Sequence, residues 1–126
     1  MSKTRAERLS SGLSAQILQA FETIKFARAY HKGALLFVEG QSPRGIFVLC
    51  SGRVRLSTST TGGKRLVVKI AEAGDILGLN ATVSGKPHQV SAESVEVCQV
   101  YFVRREDFVR FLKSYPDFCL KVAEEK

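Results

Sequence analysis

Apolar and polar positions alternate in short runs separated by glycine, most clearly across residues 39–79. In Ile46-Phe47-Val48-Leu49-Cys50, Ile46, Val48 and Cys50 fall on one face of a strand and Phe47 and Leu49 on the other. Both faces are apolar, the pattern of a strand covered on both sides. Ser51-Gly52 interrupts the run. Arg53-Val54-Arg55-Leu56-Ser57 then resumes it with strict alternation, as in a half-exposed strand. Thr61-Gly62-Gly63-Lys64 offers the positive φ angles of a tight hairpin, and Leu66, Val68 and Ile70 alternate on the returning strand. Residues 71–75 turn the chain into Ile76-Leu77-Gly78. Short strands joined by glycine turns predict a roll or sandwich.

The flanks read differently. Ser14 is placed to cap a helix in which Ile17, Leu18, Phe21 and Ile24 share a face, expected to lie on the roll as a lid. Phe26, Arg28 and Tyr30 alternate in a first strand, and Leu35-Leu36-Phe37-Val38 forms a second. Residues 79–89 are the least strand-like part, a short helical turn followed by an exposed glycine-proline loop. Residues 90–103 supply two strands with the bend at Glu93-Ser94. Residues 105–112 are helical, with Phe108, Phe111 and Leu112 on one face. Pro116 opens a further helix carrying Phe118, Leu120 and Val122. Residues 1–12 are polar and expected to form a flexible arm; residues 13–126 are expected to form one domain.

Composition narrows the class. A chain of 126 residues with 44% hydrophobic and 25% charged positions has the make-up of one soluble globular domain. No apolar run approaches the roughly 20 residues of a membrane span, and the N-terminus lacks a signal-peptide core, which points to the cytoplasm. The formal charge of +7 raises nucleic-acid binding, yet Lys3, Arg8, Arg53, Lys64, Arg104 and Lys113 are scattered and make no basic recognition helix. Cys50, Cys98 and Cys119 lie in apolar patterns without a C-x-x-C pair and are expected to be buried, reduced thiols. Two histidines, His31 and His88, are too few for a metal-dependent jelly-roll enzyme, so no metal is expected. No nucleophile elbow, HExxH helix or Walker loop is present, and an enzyme is not expected.

The order Gly40, Ile46-Phe47-Val48-Leu49, Ser51-Gly52-Arg53-Val54 and Gly74-Asp75-Ile76-Leu77-Gly78 resembles the cyclic-nucleotide-binding-type sensor domain of the Crp/Fnr regulator superfamily. The resemblance runs on through Ser91-Ala92, Val97-Cys98-Gln99-Val100, Arg105-Glu106-Asp107-Phe108 and Tyr115-Pro116. It implies a mainly β fold, an eight-stranded jelly roll with short flanking helices, serving as the sensor half of a transcription factor. It also implies a homodimer in a full regulator. DNA would be bound only through a helix-turn-helix domain that this chain lacks, its last helix being incomplete.

In cyclic-nucleotide binders of this fold, a cassette after the Gly-Asp turn offers a glutamate to the ribose hydroxyl and an arginine to the phosphate. Carried onto this chain, the glutamate position after Gly78 is Leu79, and the arginine position falls near Gln89, beside His88 and before Val90. Leucine accepts no hydrogen bond and glutamine carries no charge. No arginine occurs from Leu66 to Val103. The candidate pocket therefore comprises Gly78, Leu79, Asn80, Ala81, Lys86, His88, Gln89 and Val90, with a cyclic nucleotide disfavoured as ligand and no other cofactor implied. Lys86 and His88 are available to a small anion, with Lys64 and Arg65 on a neighbouring turn; solvated loop residues are the plainer reading. Two alternatives stay open. One is an intact nucleotide-binding module, and the other a ligand-free dimerisation domain using Phe118, Leu120 and Val122.

Overall fold

The computed structural model describes residues 14–125; the expected arm at residues 1–12 lies outside them. In chain order the elements are α1 (Ala15–Glu22), β1 (Lys25–Tyr30), β2 (Leu35–Phe37), β3 (Gly45–Ser51), β4 (Val54–Ser59), β5 (Arg65–Ala71) and β6 (Ile76–Leu77). There follow α2 (Leu79–Ser84), β7 (Ser91–Ser94), β8 (Cys98–Arg104), α3 (Arg105–Ser114) and α4 (Pro116–Glu125). The strands form two four-stranded sheets ordered β1-β8-β3-β6 and β2-β7-β4-β5, antiparallel throughout. This is the expected eight-stranded roll.

β3 lies inside its sheet, paired with β8 through Phe47↔Phe102 and Leu49↔Val100 and with β6 through Val48↔Ile76. Its two apolar faces serve two cores. Phe47 and Leu49 join Phe37, Val54, Ala92 and Phe102 between the sheets, with the Phe47 and Phe102 rings 4.9 Å apart. Ile46 points the other way, into a cluster built with Val103, Phe108, Phe111, Phe118 and Val122 from β8, α3 and α4. Two-residue β6 divides in the same manner, Leu77 to the inter-sheet core and Ile76 to the helical one. The pleat sends successive side chains to opposite faces, so one strand holds both cores together.

Ser14 caps α1 as expected, its Oγ accepting from the Ile17 N–H at 3.3 Å. The helix leans on the helical core, where Phe21 meets Phe111 edge-on at 5.7 Å. Leu18 is not among its partly buried contact residues Ile17, Ala20 and Phe21 and remains 43% exposed. The bend expected at Glu93-Ser94 falls instead at residues 95–97, because both residues are still paired to β4 through Arg55↔Glu93 and Val54↔Ser94. Only Cys98 is a buried thiol; Cys50 and Cys119 are exposed. Burial raises the Cys98 pKa, and its Sγ lies against the carbonyls of Arg53 and Glu96. The contact face expected on the last helix is also corrected. Phe118 and Val122 turn into the chain's own core, and Leu120 alone faces out, 65% exposed.

β5 departs from its alternation. It is an edge strand bonded only to β4, and Leu66, Val67, Val68 and Ile70 are each at least 40% exposed. Ala71 is its one buried residue. An apolar edge of this kind is a site of association in solution unless something covers it.

Candidate functional site

The site begins at a turn. Asp75 Oδ2 accepts from the Glu72 N–H at 2.9 Å, while Gly74 donates to the Leu49 carbonyl and Leu49 to that of Asp75. The chain enters β6 and leaves it at Gly78, whose φ of +78° swings it into α2. A Cβ at Gly78 would lie 3.2 Å from both the Gly45 carbonyl oxygen and His88 Cε1, so residue 78 is tied to glycine by conformation and by space. A second glycine, Gly85 at φ +75°, ends α2. Arg105, the first residue of α3, reaches back to this end. Its Nε donates to the Thr82 carbonyl at 3.0 Å, and its own N–H bonds the Arg44 carbonyl. The pocket helix and the first turn of α3 are therefore directly joined.

The loop after α2 is pinned just as firmly. His88 donates to the Gln41 carbonyl at 3.0 Å and accepts from the Gly40 N–H at 2.8 Å. Between this loop, α2 and the second sheet lies a cavity of about 350 Å³, lined by all eight residues marked in the sequence. Phe37, Leu56, Ile76 and Leu77 complete its apolar wall. Sequence reasoning did not assign these four to a pocket. They come from β2, β4 and β6, and only sheet pairing brings them opposite residues 79–90.

The eight residues play unlike parts. Asn80, Lys86 and Gln89 are exposed and offer free polar ends. Leu79, which the resemblance puts at the glutamate position, is 2% exposed and packs in the helical core. His88 is 5% exposed and lies flat on Phe37, the rings 3.9 Å apart and 14° from parallel. It is a pillar of the wall rather than a charge at the rim. Burial holds its imidazole below the ordinary 6.5. The expected pairing of an anion by Lys86 and His88 together is thus reduced to Lys86. Lys64 and Arg65 are not among the lining residues, and Arg65 is bonded to Ser57 Oγ at 3.1 Å.

His88 makes stability depend on pH. Its folded pKa lies below the unfolded value, so on acidification the unfolded chain takes up the proton first. The stabilising contribution is full above about pH 6.5 and declines as pH falls from there through the folded pKa. We expect the His88 ring protons in an NMR titration to show a midpoint below 6.5. A midpoint at or above that value would contradict the buried, neutral ring.

The cyclic nucleotide-binding domain family model matches residues 27–115. The nitrogen fixation regulation protein FixK of Bradyrhizobium diazoefficiens is 28% identical over 120 residues, 95% of this chain and 49% of its own. The cyclic AMP receptor protein of Thermus thermophilus is 25% identical over 89 residues, 71% of this chain and 41% of its own. The chain therefore spans about half the length, or less, of these relatives. Among solved structures, the Thermus thermophilus catabolite activator protein superposes with a TM-score of 0.85 at 22% identity, covering 93% of this chain and 55% of that one. The sensor domain of the regulator DNR from Pseudomonas aeruginosa does so at 0.81 and 19%, covering 94% and 79%. The chain belongs to the cyclic nucleotide-binding domain family, as a sensor domain of the Crp/Fnr superfamily.

Proposed function

We propose that this chain is the effector-sensing part of a Crp/Fnr-type transcription regulator whose pocket has lost cyclic-nucleotide recognition. The observation that carries this is the make-up of the cavity. It holds no carboxylate and one outward cation, Lys86, and Leu79, which the resemblance puts at the glutamate position, is buried. A cyclic nucleotide laid there would leave ribose hydroxyls without an acceptor and meet no guanidinium fork. Each unmet buried hydroxyl costs about 1–3 kcal/mol, and loss of the charged partner costs more.

The fold supports a non-catalytic mechanism. α2 borders the cavity, and its Leu79 belongs both to the cavity lining and to the cluster that holds Phe108 and Val122 of α3 and α4. Arg105 ties the last turn of α2 to the start of α3. A ligand that displaces α2 thereby acts on α3 and α4 through one packed cluster and one hydrogen bond. It shifts their equilibrium only as far as it binds one position more tightly. DNA contact and dimerisation would belong to a whole regulator of the kind its relatives represent, in the cytoplasm. Among the described residues, no helix is long and apolar enough to cross a membrane.

Calorimetric titration of the chain with cyclic AMP and cyclic GMP tests the reading. No heat of binding is expected up to about 1 mM ligand, a limit near −4 kcal/mol. Micromolar binding would restore an intact nucleotide sensor and overturn it.

A further inference from the structure

The cavity's own chemistry goes beyond the loss of one ligand and describes another. Its wall is apolar on the side of the sheets, where Phe37, Leu56, Leu77 and Val90 meet. His88 extends that wall, being stacked on Phe37 and held neutral by burial. At the rim stand Asn80, Lys86 and Gln89. Ser84 is already engaged, its Oγ accepting from the Lys86 N–H and donating to the Ala81 carbonyl. The Lys86 ammonium has no ion-pair partner among the described residues, and it is the one cation in the cavity lining. The cavity thus has an oily wall, one unneutralised positive charge at its mouth and two amides beside it.

We infer that the pocket takes a small organic monoanion, a carboxylate on a short alkyl or aryl body. The body lies against Phe37, Leu56 and Val90, and the carboxylate pairs with Lys86 and accepts from the Asn80 or Gln89 amide. This rests on the reading of the site as a sensor pocket and gives that sensor a ligand class. Size agrees. A cavity of about 350 Å³ is at the small end of the roughly 300–1,000 Å³ usual for ligand sites. Charge agrees as well. One cation and no carboxylate in the lining favour a single negative charge, and a cationic ligand would find nothing to pair with. A hydroxyl-rich ligand is disfavoured by the same wall, since its donors would face carbon.

The test is an amide chemical-shift titration of the full chain with phenylacetate and octanoate, beside neutral 2-phenylethanol and cyclic AMP. The two carboxylates should move the amides of Gly78, Asn80, Gln89 and Val90. Lys86→Gln, a change on an exposed loop, should weaken them by about threefold to fivefold, the worth of one partly exposed charge pair. The alcohol should bind more weakly and be indifferent to that substitution. Three outcomes overturn the inference: carboxylates no better than the alcohol, no dependence on Lys86, or shifts confined to the exposed β5 residues Leu66, Val67 and Val68. Silence of both carboxylates at about 10 mM does so too, since that limit is weaker than any sensor's working affinity. Cyclic AMP separates the two claims. If it moves the pocket amides at micromolar concentration, the sensor reading without cyclic nucleotide falls; if it and the carboxylates are all silent, only the ligand class falls.

Discussion

Gly45→Ala will destabilise the domain by about 3 kcal/mol or more, enough to lower its melting temperature by roughly 10 °C. Gly45 opens β3 opposite Arg104 of β8, and the two strands meet there without room for a methyl group. A Cβ at this position would overlap the Val103 carbonyl oxygen and lie 2.9 Å from the carbonyl carbon and 3.0 Å from Phe102 Cε1. The obstacle is backbone, so no side-chain rotation relieves it. The backbone at Gly45 does not have positive φ, which makes the effect steric rather than conformational. Gly62→Ala is the control. Nothing lies within 4 Å of a Cβ there and its φ is not positive, so its melting temperature should stay near that of the parent. Thermal unfolding of the two variants decides the matter. Equal stabilities would show that the β3–β8 approach is wider than described.

Leu79→Glu will not restore nucleotide binding; it will destabilise the protein by about 4 kcal/mol. The glutamate would enter the cluster of Ile46, Ile76, Val103 and Phe108, whose side chains are all apolar. An unpaired buried carboxylate shifts its pKa up or forces the structure open. Leu79→Met, close in volume, should cost less than about 1.5 kcal/mol and separates the charge from the change of side chain. Adding Gln89→Arg supplies the missing guanidinium on an exposed loop but leaves the core carboxylate where it is. Denaturant unfolding and cyclic AMP calorimetry on the single and double variants give the answer. A stable double variant that binds cyclic AMP would mean that the side chain at residue 79 turns out of the helical core into the cavity it borders.

Local pattern made much of this legible. The double apolar face of Ile46 to Leu49, the glycine turns and the cap at Ser14 all depend on neighbours a few residues apart, which sequence displays directly. The same holds for Gly74-Asp75 and Gly78, whose spacing marks the start of the pocket. The errors share one cause. Leu18 and Leu120 sit in apolar stripes yet remain exposed, and Cys50 lies on an apolar strand face yet is open, because burial depends on what another element covers. β5 is the largest case: Leu66, Val68 and Ile70 lie exposed on an edge strand and join neither core, and of this strand only Ala71 enters the inter-sheet one.

The candidate site divides along the same line. The eight residues marked along residues 78–90 all line one cavity, because a short helix and its following loop stay together in space. Their roles were not visible. His88 reads as a loop histidine until Phe37, from β2, slides beneath it, and Leu79 reads as a failed ligand contact until α3 and α4 close over it. The link from Arg105 to Thr82 crosses 23 positions of chain and has no local signature. Sequence alone determined the strands, the turns, the family resemblance and the lack of any arginine from Leu66 to Val103. Those are properties of residue type and of spacing within a few residues. Only the tertiary structure decided which side chains face the cavity, which support it and which charge is free, because each depends on contacts between segments far apart in the chain.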